Sequence, residues 1–254
     1  MKHKILLAAN TASGLEHLFE DLTNLLNKTH KKYVTAFPIK NYDSGQLVAS
    51  SNDTSDQNNL DNLVEGLENA AMAEQQAADF NLELDWIGEK VDDKQLASLS
   101  TVYDLLIWEQ SVHEAYDNSL LKEIIDTIKC PMLFLPNGWR IENLVVFHDG
   151  SMDSVKMVKG FINVFNPSLR DLPLSVLINH SDDSYNVLEE KVFIDYLKLF
   201  FKNIGVQLVE GDLLKQTRDS SPLKMNNPFL MLGVNRSGFE PESVLSSPTF
   251  LFKG

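Results

Sequence analysis

A single cysteine, Cys130, leaves no partner for an intramolecular disulfide anywhere in the 254 residues. The fold must therefore hold by packing alone, as proteins of reducing compartments do. A lone cysteine at a strand start reads as a small buried hydrophobe, not as a nucleophile. Long apolar runs are missing as well. About five apolar residues separate Lys4 from Asn10, short of the ~7–15 in the core of a secretory signal. No stretch approaches the ~18 needed to span a bilayer. The expected location is the cytoplasm, with no membrane partner. Basic residues are scarce, 22 against 36 acidic ones, for a formal net charge of −14. Such a surface repels phosphate backbones, so no nucleic-acid partner is expected. Also missing are a G-x-S-x-G elbow, a G-x-G-x-x-G turn after a strand, and an H-E-x-x-H helix. No catalytic residue and no metal ligand is therefore assigned, and the chain reads as a non-enzyme.

What is present is a repeat. Lys4-Ile5-Leu6-Leu7-Ala8-Ala9-Asn10-Thr11 aligns with Asn143-Leu144-Val145-Val146-Phe147-His148-Asp149-Gly150. Each is an apolar strand, a short polar turn and the start of an amphipathic helix. The halves also end alike, with Cys130-Pro131-Met132-Leu133 matching Ser247-Pro248-Thr249-Phe250. Tandem copies of one unit set the architecture more firmly than any single motif.

In the first half, strands are predicted at 5–9, 33–39, 82–86, 103–108 and 132–135, with helices between them. In the second half they are predicted at 144–147, 174–178, 206–209, 229–234 and 249–252. Leu188, Val192, Tyr196 and Phe200 step along one helix in fours and mark its apolar stripe. The alternation calls for α/β units with parallel strands and right-handed crossovers. The offset between copies shrinks from 139 at Asn10/Asp149 to 117 at Pro131/Pro248, so the second copy is shortened, chiefly in helix and loop. The turn-rich Pro136-Asn137-Gly138 divides the chain into domains at 1–138 and 139–254.

Read in this order, the chain resembles a tandem universal stress protein, of the adenosine-binding α-hydrolase-like class. The resemblance rests on the Asp149-Gly150-Ser151 turn, the aspartate-led strand at Asp104-Leu105-Leu106-Ile107, and the small-residue-Pro-apolar ends at Cys130 and Ser247. It implies two tandem doubly wound five-stranded parallel sheets, held as an internal pseudo-dimer with the fifth strands near each other. It also implies stress-linked regulation by binding. Family members that hold ATP cradle its phosphates in Gly-x2-Gly-x9-Gly-Ser/Thr after the fourth strand, where glycine admits close approach of backbone amides. Here Trp108 is followed by Glu109-Gln110-Ser111-Val112-His113-Glu114, without glycine and with two carboxylates, and Gly233 and Gly238 have the wrong spacing. Competent ATP binding is not expected, and no cofactor is assigned.

The family's adenosine-side aspartate maps to Asp149 in the second half and to Asn10 in the first. A ligand site is therefore placed at the carboxyl ends of strands, around His148, Asp149, Gly150, Ser151 and His180, with Asn10 and Thr11 as the first-half counterpart. His3, His17 and His30 read as solvated surface. The functional expectation is a stress-response regulatory protein. The alternatives are a small-ligand or nucleotide sensor using the second-half pocket, and a scaffold acting only through protein contacts. The partner protein is not identified by the sequence, and a second copy of the chain is one candidate.

Overall fold

A computed structural model describes residues 2–9, 15–37, 71–87, 91–109, 118–136, 138–179, 186–209, 226–233 and 247–253. Among these residues ten strands follow one another: β1 Lys2–Ala8, β2 Lys31–Phe37, β3 Glu83–Trp86, β4 Leu105–Glu109, β5 Met132–Leu135, β6 Asn143–His148, β7 Leu174–Asn179, β8 Ile204–Val209, β9 Pro228–Gly233 and β10 Thr249–Phe252. The helices are α1 Leu15–Leu25, α2 over 71–79, α3 Asp93–Leu99, α4 Asn118–Thr127, α5 Met152–Val164 and α6 Val187–Leu197. None of the described helices is long and apolar enough to cross a membrane.

The strands form one sheet in the order β3-β2-β1-β4-β5-β10-β9-β6-β7-β8. This corrects the expectation of two separate five-stranded sheets. Within each half every pairing is parallel, and the order 3-2-1-4-5 of the first half recurs as 8-7-6-9-10 in the second. The halves join where β10 runs antiparallel to β5, with Phe250 opposite Leu133. Antiparallel pairing is what a twofold relation demands of equivalent strands that meet. It also has a physical motive, since β5 is buried along its whole length and would otherwise present an open apolar edge.

Central strands are continuous apolar runs, as parallel strands buried on both faces are. β1, β4, β5, β6 and β9 are buried through most of their length. The outer strands β3 and β8 are largely exposed. β2 begins earlier than the apolar pattern predicts, because Lys31 and Lys32 already pair with Lys2 and His3. One core lies under α1, α2, α5 and α6 and runs unbroken across the junction through Leu133 and Phe250. A second core on the opposite face gathers Leu6, Leu106, Trp108 and Phe134 with α3 and α4, and reaches Val145 and Leu230 of the second half.

The first helices of the two halves also touch. Leu26 bridges Phe165, the Asn27 amide donates to the Val164 carbonyl at 2.9 Å, and the Asn166 amide donates to the Leu25 carbonyl at 2.8 Å. Cys130 is 5% exposed, and burial pushes its thiol up to about 12. Native protein at pH 8 is therefore expected to resist a disulfide reagent and to react fully once unfolded. Stoichiometric labelling of the folded chain within minutes would contradict this burial.

Candidate functional site at the carboxyl end of strand β6

β6 ends in His148, and the chain then turns sharply through Gly150, whose φ of 77° favours a residue without Cβ. Asp149 Oδ1 accepts the Ser151 amide at 3.0 Å. Ser151 caps α5, its hydroxyl accepting the Ser154 amide at 3.3 Å. The Asp-Gly-Ser turn thus first serves to start a helix. Gly233, at the end of β9, presses against the same helical turn, and a Cβ there would collide with the Ser154 backbone. The amide of Ser154 is consequently capped and covered.

His148 is 3% exposed and stacks on Phe193, with centroids 4.0 Å apart and rings 19° from parallel. The Ser154 hydroxyl donates to the Ser151 carbonyl at 2.7 Å, so its lone pairs face the ring. His148 Nδ1 lies 2.6 Å from that oxygen and must carry the proton it donates. Nε2 then presents a lone pair to Glu190 Oε2, 3.2 Å away. Burial holds His148 down at about 4. Burial, with Glu189 and Asp149 beside it, pushes the Glu190 carboxyl up. Both shifts disfavour charge on the two groups, and Glu190 Oε2 makes no hydrogen bond among the described residues.

Above this floor lies a cleft of about 440 Å³ between α5 and α6. Its walls are Met152, Val155, Leu188, Val192, Phe193 and Tyr196, with Lys159 and Glu189 as the charged members. The Lys159 ammonium stands 5.9 Å from the centre of the Tyr196 ring. Apolar walls with few polar groups, in this size range, are the usual character of a small-molecule pocket.

Of the residues chosen from sequence, His148 and Gly150 line the cleft, while Asp149 and Ser151 are half-buried in the turn beneath it. His180, Asn10 and Thr11 lie outside the described residues. His148 is not the solvated rim group that a strand-end histidine suggests, because both of its nitrogens are engaged inside the protein. Among the described residues no cluster of three histidine, cysteine or carboxylate side chains could hold a metal. His3 likewise departs from the expected solvated state. It is 5% exposed and lies 2.6 Å from His30.

Ser154, Glu190 and the α6 wall were not legible as site residues. The stripe Leu188, Val192 and Tyr196 faces the cleft, with Leu188 70% and Val192 62% exposed. α6 instead buries Glu190, Phe193 and Leu197.

No protein-family model matches this chain, and no curated protein matches it. Among solved structures it is similar to a universal stress protein from Archaeoglobus fulgidus DSM 4304, with a TM-score of 0.69 and 12% identity over 99% of this chain and 96% of that one. It is also similar to the cytoplasmic domain of a prokaryotic cation chloride cotransporter, with a TM-score of 0.55 and 13% identity over 99% and 95%. At such identities the likeness establishes the α/β fold of a universal stress protein and nothing finer.

Proposed function

We propose that this chain is a regulatory binding protein of the universal stress type, without turnover of its own, whose ligand is a small apolar molecule and not ATP. The observation that carries this reading is the cleft of about 440 Å³ at the end of β6, apolar-walled and floored by His148, which is buried beside Glu190. A triphosphate needs free amides and cations. Here the Ser154 amide is already capped, Gly233 covers it, and Lys159 is the lone cation against Glu189 in the lining. β4 ends in Glu109, and the sequence from there to Asn118 contains no glycine.

A scaffold that engages another protein is the second reading. Met152, Val187, Leu188 and Val192 are each more than 60% exposed and lie along one surface of α5 and α6, a patch that a partner could cover.

Nile red, a neutral apolar dye, is expected to brighten on binding the wild type and to lose most of that signal with the Val155→Asp, Val192→Asp double variant. Mg-ATP is expected to leave the melting temperature unchanged. Micromolar ATP binding by calorimetry would overturn the reading, and so would dye binding indifferent to both substitutions.

A further inference from the structure

The chain carries −14 overall, yet Lys28, His30, Lys31 and Lys32 fall within five residues of one another. They occupy the turn from α1 into β2, at the amino ends of the first half's strands, away from the carboxyl-end cleft. With α2 and the start of β3 they enclose a cavity of about 520 Å³, lined by these four together with Phe80, Asn81 and others.

Lys32 is the informative member. It is only 8% exposed, and its ammonium donates to the His30 carbonyl at a long 3.4 Å. Among the described residues no carboxylate forms an ion pair with Lys32 or Lys28. Lys28 Nζ reaches only the Asn24 side chain, at 3.3 Å. The sole acid in the lining, Glu83, sits 3.8 Å from Lys31, both side chains being more than half exposed, and such pairs bind weakly. Burial and then the neighbouring Lys28 hold Lys32 below its ordinary value. Burial and then His3 do the same to His30. A buried ammonium without a counter-charge is costly unless something supplies one.

The donors indicate what that is. Thr23 spends its hydroxyl proton on the Phe19 carbonyl, and Thr29 spends its own on Asn27. The lysine ammonium groups are left as the main donors, suited to a compact anion with several acceptor oxygens. The space exceeds what a bare phosphate fills, and part of its remaining wall is apolar, with Ala78, Phe80 and Leu82 interleaved by Asn81 and Glu83. We infer that this cavity binds a small phosphomonoester, its phosphate between Lys28 and Lys32 and its organic part against Phe80 and Leu82. The inference is independent of the ligand of the β6 cleft.

The test titrates the full chain with ribose 5-phosphate, inorganic phosphate and ribose by calorimetry, at constant ionic strength set with chloride. Saturable binding is expected for ribose 5-phosphate, weaker binding for phosphate, and none for ribose. Lys32→Met should weaken ribose 5-phosphate about tenfold or more, and should raise the melting temperature in phosphate-free buffer by removing the uncompensated charge. Lys28→Ala, at an exposed position that folding does not need, should weaken binding by a similar factor. Failure of the wild type to saturate, phosphate binding tighter than the ester, or undiminished binding in the Lys28 variant would each overturn the assignment.

Discussion

Replacing Phe165 by alanine is expected to destabilise the protein by about 3–5 kcal/mol, the range for emptying a buried aromatic site. The ring is fully buried and has aromatic neighbours on several sides. Phe161 is stacked at 4.8 Å, with Phe229 edge-on at 5.3 Å and Phe250 edge-on at 5.0 Å. Phe250 belongs to β10, the strand that joins the halves, and Phe165 itself bridges Leu26 of the first half. The cavity would thus open at the seam. Because the two halves share a sheet and a core, wild type should unfold in one transition, and the variant should do so at lower urea. Two resolved transitions in wild type, or a loss below about 1 kcal/mol in the variant, would show that the seam contributes little.

That seam is the part of the fold least legible in the sequence. The strands were readable because buried parallel strands are short apolar runs with clear punctuation. Met132–Leu135 and Thr249–Phe252, each following a proline, fall where the pattern places them. Which strand pairs with β5 on its outer side depends on a symmetry axis that no local periodicity encodes, and only the family resemblance brought the fifth strands together, as β5 and β10 are. The candidate site divides in the same way. His148 and Gly150 could be found because a strand end and a glycine turn are local signals. Glu190 could not, because a glutamate in the first turn of a helix reads as a partner of the helix dipole, whereas here it is turned inward toward the His148 ring. Spacing in fours was likewise not enough for α6. Periodicity marks an apolar stripe without saying whether core or cleft receives it, and with Phe193 taking the core, Leu188 and Val192 were left for the cleft. Lys32 escaped notice for a related reason, since two lysines at a strand start look like solvated punctuation until burial is known.

Substituting Glu190 by glutamine should reshape the pH dependence of stability more than its value near pH 6. The Gln amide can donate to His148 Nε2 as a protonated acid would, so the geometry survives. Two titrations act in opposite senses in the wild type. His148 is held down at about 4 by burial, below its ordinary 6.5. Its contribution is therefore present above pH 6.5 and is lost as pH falls toward 4, because the unfolded chain takes the proton first. Glu190 is shifted up, so its contribution is present below its ordinary 4.5 and is lost as pH rises through the raised value. In acid the two act against each other, the folded Glu190 keeping its proton to higher pH while the folded His148 refuses one until lower pH. The variant keeps only the His148 titration and should lose about 3 kcal/mol between pH 6.5 and 4, a steeper fall than wild type shows. Above neutrality the order reverses. Wild type must then bury a carboxylate against a lone pair, and the glutamine variant should be the more stable by about 1–3 kcal/mol. Urea unfolding of both proteins at pH 4.5, 6 and 8 distinguishes these cases. Parallel curves across that range, or a variant weaker than wild type at pH 8, would mean that the proton does not sit between His148 and Glu190.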